Sequence, residues 1–590
     1  MCKATVPALI AIFAAAAWPG CESAGGRGES SDSDSDSDTD TDTDTDTDTD
    51  TDADDECTPG EVWCYGNWIS VCTEDGEWEQ QTDCAPLVCA AGECVDISEE
   101  CAAAINDKSY IGCEYFTTTL SNSQLVVPPF TYAIAIANNG TGQADIHVDD
   151  GPGGSVSNDY TVAAGEMITI EDLPWKESIR AAMTGTFPSA IYATRKVANA
   201  AYHVTSTMPV TAYQFNALHY TMDGYFSYTN DASLLLPAHV YQDEYVAMSR
   251  PTFQLDFYGD GSMMASQPGF LAILGHDEGT TVVEIESSAY TLASDSLSNT
   301  TYSALSPGGT MTAEIGPYEV LQILTGPEPG CTGSTLCSSY YCCNVPPTYD
   351  LTGTVVRVVS GPNPAVFGGH DCTFVPFNKW ACDHLEEQMF PLETWGTHYL
   401  CAHNVTQALA EPSVWRVLSG SDANPISFTP SSVHAPVTLD KGEFVEFESL
   451  ADFEILGEGR VSVSQFMVGQ NYTSDISPPL NGDPAMALGV PVEQYRTQYT
   501  FLAPTSYVYN YLTVLHKAGS YPSLDGTPIA GETVEITSEY HRTNLEITGG
   551  VHDITSTEPF GIAVYGVGSY TSYMYPGGLD LKEVDIIVEK

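Results

Sequence analysis

The sequence predicts an all-β protein of tandem β-sandwich-like units, on three observations: short apolar runs ended by turn residues, one motif returning at fixed spacing, and no convincing long helix. The motif is Pro-x3-aromatic-x3-Tyr. It occurs as Pro237, Tyr241 and Tyr245, again as Pro391, Trp395 and Tyr399, and again as Pro491, Tyr495 and Tyr499. Recurrence of this kind marks a repeat architecture. Each copy leads into an apolar run and a hairpin signal: Phe270–Leu274 before Gly-His-Asp-Glu-Gly, Val414–Leu418 before Ser-Gly-Ser-Asp, Tyr511–Leu515 before His-Lys-Ala-Gly. Tyr132–Ala137 before Asn-Asn-Gly is an earlier member without the proline motif. The repeats fall near 110-216, 233-371, 388-471 and 486-570. About six strands per unit suit a sandwich buried between two sheets, and the same strands also suit the four-stranded blades of a β-propeller.

The N-terminal part reads differently. Lys3 and the apolar run Ala8–Ala17 make residues 1-20 a signal peptide, since the run is well short of the roughly 20 residues a spanning helix needs. Gly20-Cys21 resembles a bacterial lipobox, with Trp18 where Leu is usual, and this makes Cys21 the expected lipid attachment site. Residues 21-56 then form the anchor and a disordered stalk. From Ser31 to Asp52 the chain alternates Ser-Asp and then Thr-Asp with no apolar residue, so it has nothing to bury and its charges repel. At roughly 3.3 Å per residue such a tether reaches on the order of 70 Å. The whole chain carries 79 Asp and Glu against 18 Lys and Arg, a formal charge of -61. That balance argues against nucleic acid and anionic membrane surfaces as partners, leaving the lipid anchor as the only membrane contact. The expected location is outside the cell, as an outer-membrane or cell-surface lipoprotein, with free secretion as the alternative.

Cysteine usage agrees with export. Cys57, Cys64, Cys72, Cys84, Cys89 and Cys94 crowd the segment 57-96, which is too short for a large core, so disulfides are expected to stabilise it. Six cysteines allow fifteen pairings, and the sequence does not choose among them. Residues 97-590 hold Cys101, Cys113, Cys331, Cys337, Cys342, Cys343, Cys372, Cys382 and Cys401, an odd number, with Cys401 the expected free thiol.

The densest set of chemistry-bearing side chains lies between the second and third repeats. His370-Asp371-Cys372 faces Cys382-Asp383-His384 in mirror order, with Glu386 and Glu387 behind. In an oxidising compartment Cys372 and Cys382 most simply form a disulfide, the flanking charges capping turns and binding backbone groups. The competing reading makes His370, Asp371, Asp383, His384 and Glu387 ligands of zinc or calcium, and in its strongest form makes His370, Asp383 and His384 the centre of a metal-assisted extracellular hydrolase. No His-Glu-x-x-His, Gly-x-Ser-x-Gly or P-loop is present, and Gly482-Asp483-Pro484 is followed by Ala485 rather than the histidine of a self-cleaving site. The expectation is therefore a protein that is not an enzyme and needs no cofactor.

At these residues the chain resembles a known family. GGHDCTFVP (368–376) followed by ACDHLEEQ (381–388), with DLTGTVV (350–356) and PAVFGG (364–369) upstream, is similar to the N-terminal domain of IgG Fc-binding proteins, and the likeness runs through most of residues 110 to 580. The Ser/Thr-Asp stalk is similar to that of bacterial, myxobacterial-type surface lipoproteins carrying this domain. The resemblance implies a binding or adhesion function at the cell surface. The family name implies immunoglobulin Fc as partner; a bacterial surface points instead to an extracellular protein or glycan nearby.

Overall fold

The computed structural model describes residues 57–586 except 66, 86, 124–128, 332, 407–411, 473–481 and 585. Cys21, the signal peptide and the Ser/Thr-Asp stalk lie outside the described residues.

The first described segment is the six-cysteine module, a three-stranded sheet (Val62–Tyr65, Trp68–Cys72, Trp78–Asp83) with a small hairpin after it. Its core is little more than sulfur: Cys57–Cys72, Cys64–Cys89 and Cys84–Cys94 are bonded. A helix, Glu99–Asp107, follows, its Ser98 cap accepting from the Cys101 amide at 3.1 Å. Cys101–Cys113 ties this helix to the first strand of the body.

The body is four copies of one eight-strand topology. In the first, Gly112–Thr117, the leading half of Tyr202–Asn216, Ala144–Asp149 and Ser157–Val162 form an outer sheet. Met167–Ile170, Tyr132–Asn138, the trailing half of Tyr202–Asn216 and Ala232–Leu234 form an inner sheet. The second copy repeats the order with Glu244–Val246, Val355–Ser360, Thr281–Ser287 and Gly309–Ile315 outside, and Val320–Leu324, Gly269–Leu274, Ala365–Thr373 and Asp383–Gln388 inside. The third does so with His398–Cys401, Phe453–Gly457, Asn424–Thr429 and Val437–Leu439, then Phe444–Ser449, Ser413–Ser419, Val461–Phe466 and Met486–Leu488. In the fourth, Gly550–Gly568 runs through both sheets as Tyr202–Asn216 does in the first, and Thr571–Pro576 closes it. Two sheets per unit make sandwiches; a propeller blade would be one four-stranded sheet.

Apolar patterning explains which sheet is which. Thr281–Ser287 (TVVEIES) and Asn424–Thr429 (NPISFT) alternate buried and exposed residues, as strands with one wet face must. Tyr132–Asn138, Gly269–Leu274 and Ser413–Ser419 are buried throughout, because the inner sheets are covered by their own outer sheet and by neighbouring units. The last strand of each unit lies innermost. These inner strands, β1 (Ala232–Leu234), β2 (Asp383–Gln388), β3 (Met486–Leu488) and β4 (Thr571–Pro576), pack β1 on β2, β2 on β3, β3 on β4 and β4 on β1, which closes the four sandwiches into a ring. Each unit thus extends one strand beyond the repeat boundaries drawn from the spacing, and that extra strand makes the ring.

The repeated motif has a definite task. Its proline precedes a single 3-10 turn, at Ala238–Val240, Leu392–Thr394 and Val492–Gln494, that carries the chain from one inner strand to the next outer sheet. Its tyrosine hydroxyl then reaches across the sandwich. Tyr245 accepts from the Gln242 amide at 3.2 Å and donates to Pro364 O at 3.0 Å. Tyr399 donates to Val461 O at 2.5 Å, and Tyr499 accepts from the Arg496 amide at 2.8 Å and donates to Phe560 O. Tyr115 does the same in the first unit, with the Gly112 amide and Val210 O, although no proline motif announces it. The tether fixes the first strand of each sandwich to the point where the chain crosses from outer to inner sheet.

Between the second and third units Arg416 is buried, with Nη1 2.7 Å from Asp350 and Nε 2.6 Å from Glu446, which also meets Arg250 at 3.0 Å. Against the upward push of burial, Arg250 and Arg416 hold the Glu446 carboxyl down at about 2. Cys331–Cys343 and Cys337–Cys342 staple the long insertion of the second unit.

Two substitutions probe these joints. Tyr245→Phe leaves a buried carbonyl and amide without their shared partner and is expected to cost about 1–3 kcal/mol in denaturant unfolding. Arg416→Ala strands Asp350 and Glu446 between units and is expected to cost about 3–5 kcal/mol; a loss below 1 kcal/mol would show that the network does not hold the joint.

Candidate functional site: the buried seam of the inner strands

The ring of inner strands gathers side chains from every unit. Asp231, immediately before β1, accepts from its neighbour Ala232 N at 3.0 Å and from one amide of each other unit: Glu386 N at 3.2 Å, Met486 N at 3.2 Å and Met574 N at 3.4 Å. Asp383, opening β2, accepts from Asn230 N, His384 N at 2.9 Å and Ser572 N at 3.4 Å. Asp483, ahead of β3, accepts from Gln470 N at 3.0 Å, and its own amide donates to Ser572 Oγ at 2.8 Å. Glu386 accepts from Gln214 at 3.0 Å and from Asn216; Glu387 accepts from Ser233 at 3.2 Å. All five carboxyl groups are wholly buried.

Their charge states follow from that burial. Desolvation first, and the proximity of Glu386 second, push Asp231 well above the carboxylate range. Desolvation followed by the neighbouring Asp483 does the same for Asp383, and desolvation raises Asp483. Desolvation, then Asp231, raises Glu387, and desolvation outweighs the His384 contact to raise Glu386. Backbone amides stabilise these groups, yet no Lys or Arg pairs with any of them among the described residues.

The motif residues of this region are structural in the same sense. Cys372 and Cys382 are bonded, with Cα atoms 5.3 Å apart. Gly369 lies so close to Leu385 O and the Phe270 ring that a Cβ there has no room. His370 accepts the Cys372 amide on Nδ1 at 3.1 Å, and its Nε2 lies 3.0 Å from Pro251 O and 3.3 Å from the Phe253 amide; burial lowers its pKa well below the imidazole range. Asp371 takes donors from Ser121, Ser123, Tyr192 and Gln267. Among the described residues Cys401 is the free cysteine, buried in the core of the third sandwich.

The competing metal reading gains no converging ligand set from these residues. Side chains alternate along β2 and its partner Ala365–Thr373, where His370 stands opposite Leu385, and a register break separates that pair from Thr373 and Asp383. Pro251 O and the Cys372 amide engage His370, four polar side chains surround Asp371, backbone amides hold Asp383 and Ser233 holds Glu387, and among the described residues these side chains do not form a group of three converging ligand atoms. Among the described residues, the group that does bring three metal-capable side chains together is Glu114, His276 and Asp277, at another junction. Sequence reading missed it, and it missed Asp231 too; no local pattern marks either. The shared Asp ahead of β1, β2 and β3 is the one signal that an alignment of the repeats on their inner strands would have exposed.

Fold and seam together define a disulfide-stapled protein built from four tandem β-sandwiches closed around a buried carboxyl seam. A family model described as IgGFc binding protein matches residues 231–566, from the aspartate that the other three units contact to the end of the fourth unit's long strand. The match covers more than half of the chain, and the chain belongs to that family. Human IgGFc-binding protein is 25% identical over 232 residues, which is 38% of this chain and 4% of that much longer protein. All of the first sandwich but β1 precedes the matched segment, and it shares the topology of the matched units.

The seam carries a pH prediction. Carboxyl groups with raised folded pKa values bind protons more readily folded than unfolded, so the stability they contribute is complete below their unfolded values of about 4 and lost as the pH rises through the folded ones. The urea midpoint is expected to fall as pH is raised from about 5 to about 8, and Asp483→Asn, which mimics the protonated acid, to flatten that dependence. An unchanged slope in the variant would remove Asp483 from the explanation.

Proposed function

We propose that this chain is a cell-surface lipoprotein, anchored through Cys21 and held off the membrane by its acidic tract, that binds an extracellular protein or glycan. The observation that carries the reading is the aromatic face of the six-cysteine module. Tyr65 stands directly opposite Trp68 in the sheet, Trp63 is two residues along the same strand, and Trp78 lies on the third strand. Their exposures are 72%, 39%, 38% and 37%. Large rigid rings held by disulfides provide contact area at little entropic cost, which suits them to recognition. In the body, by contrast, aromatic rings mostly pack against one another inside the sheets. The name of the human relative supports a protein partner, and the surplus of carboxylates disfavours an anionic one.

Binding of the full chain to immobilised envelope glycans, surface proteins and human Fc fragment is the test. A partner on any of these surfaces, weakened about tenfold or more by Trp63→Ala with Trp68→Ala, is the expected result. Uniformly null binding would defeat the recognition reading, and binding untouched by the double variant would move the contact off this face. Separately, Cys21→Ser is expected to shift the protein from the membrane to the soluble fraction; identical fractionation would defeat the anchor.

A further inference from the structure

At the junction of the first and second sandwiches, three carboxylates and two imidazoles converge from four chain segments, with a tyrosine from a fifth. Glu114 and Phe116 come from Gly112–Thr117, Asp149 ends Ala144–Asp149, and His203 lies early in Tyr202–Asn216. His276 and Asp277 come from the hairpin after Gly269–Leu274, and Tyr318 from the turn before Val320–Leu324. Glu114, His276 and Asp277 each offer a ligand atom, all within 4.8 Å of one another. His203 Nε2 is 2.8 Å from Glu114 Oε1, and its Nδ1 is 3.8 Å from both Asp149 and Asp277. Tyr318 closes the group, its hydroxyl 3.4 Å from His203 Nδ1.

We propose that Glu114, His276 and Asp277 bind a divalent transition-metal ion that clasps the first sandwich to the second, with His203 orienting Glu114. The donor chemistry fits: one imidazole and two carboxylates leave room for water in a four-coordinate shell, and imidazole favours zinc and its neighbours over calcium or magnesium. A hydrogen bond to a ligating carboxylate is the usual support for such a ligand, and His203 supplies it. Both imidazoles are pre-positioned. His203 stacks on the Phe116 ring at 4.5 Å with the planes 4° apart, His276 packs on the same ring at 4.7 Å, and the two are 7% and 8% exposed.

The charge is also unbalanced. Among the described residues Glu114, Asp149 and Asp277 pair only with histidines, and no Lys or Arg reaches them. Asp277 keeps about a third of its surface exposed, which gives an ion a way in. Donors about 2.1 Å from zinc stand about 3.4 Å apart in a tetrahedron, so the group contracts on the ion and draws the two sandwiches together.

The test uses the full chain, stripped with chelator and titrated with zinc in excess magnesium, which occupies the acidic tract. Calorimetry and elemental analysis are expected to give one tightly held zinc per chain, with a rise in unfolding midpoint of about 5 °C at zinc a hundredfold above its dissociation constant. His276→Gln is expected to abolish the binding and His203→Gln to weaken it about 10- to 100-fold. Asp277→Asn, at a position about a third exposed, repeats the test should His276→Gln fail to fold, and it too is expected to lose the ion. Absence of stoichiometric zinc in the wild type, or full retention in a folded ligand variant, overturns the site.

Discussion

One carboxyl group carries a constraint that the rest of the body depends on. Asp231 accepts a backbone amide from each of the three other sandwiches, so its position is set by all four units and theirs by it. Inner strands present their amides toward the ring axis, where water is excluded, and an unpaired amide there costs about 1–3 kcal/mol. An aspartate short enough to reach several amides at once satisfies them where further strand pairing is geometrically impossible. Asp383 and Asp483 repeat the device with fewer partners. The outcome is a ring whose centre is polar and dry, and whose units are coupled through backbone geometry as well as through side-chain packing.

Much of this was legible in the sequence, and what was legible was local. The Pro-x3-aromatic-x3-Tyr spacing works because a 3-10 turn and a tyrosine reaching back to an amide three residues earlier are short-range geometry, as at Gln242 and Tyr245. The division into outer and inner sheets was encoded too, in the contrast between TVVEIES and GFLAIL. The ring was not, since Asp231 and Met574 lie 343 residues apart and nothing in either neighbourhood announces the other. Tyr115 performs the motif's task without its proline, so the first unit looked like an outlier. The histidines and acids around Cys372 and Cys382 left two readings open because adjacency in sequence does not say which side chains share a face: along a strand neighbouring side chains point to opposite faces. The cysteines were the exception, because a β-hairpin brings mirror-placed residues side by side.

Basic residues are scarce, and their placement divides the molecule into two electrostatic regimes. Arg195, Arg250, Arg416 and Arg542 are buried beside carboxylates, and Lys176 and Lys196 are nearly so. With so many cations committed to the interior, the outer surface is left strongly acidic and repels its own copies, which favours solubility at high surface density. The buried seam has the opposite character: its acids lack cations and are held by amides instead.

The helix Glu99–Asp107 and its bond to Cys113 acquire a mechanical meaning from how the body closes. Lys108 and Tyr110 hydrogen-bond the backbone of Leu581 and Leu579, so the chain entering the first sandwich is zipped to the chain leaving the fourth. Tension arriving from the N-terminal side would peel that zipper one bond at a time if it ran along the backbone. It does not have to: Cys101–Cys113 is a covalent bypass that carries force past residues 102–112 into Gly112–Thr117. That strand is laid along Tyr202–Asn216, where several hydrogen bonds share a load in shear. Force applied at the N-terminal side would thus leave that closing zipper slack while the first outer sheet bears the strain.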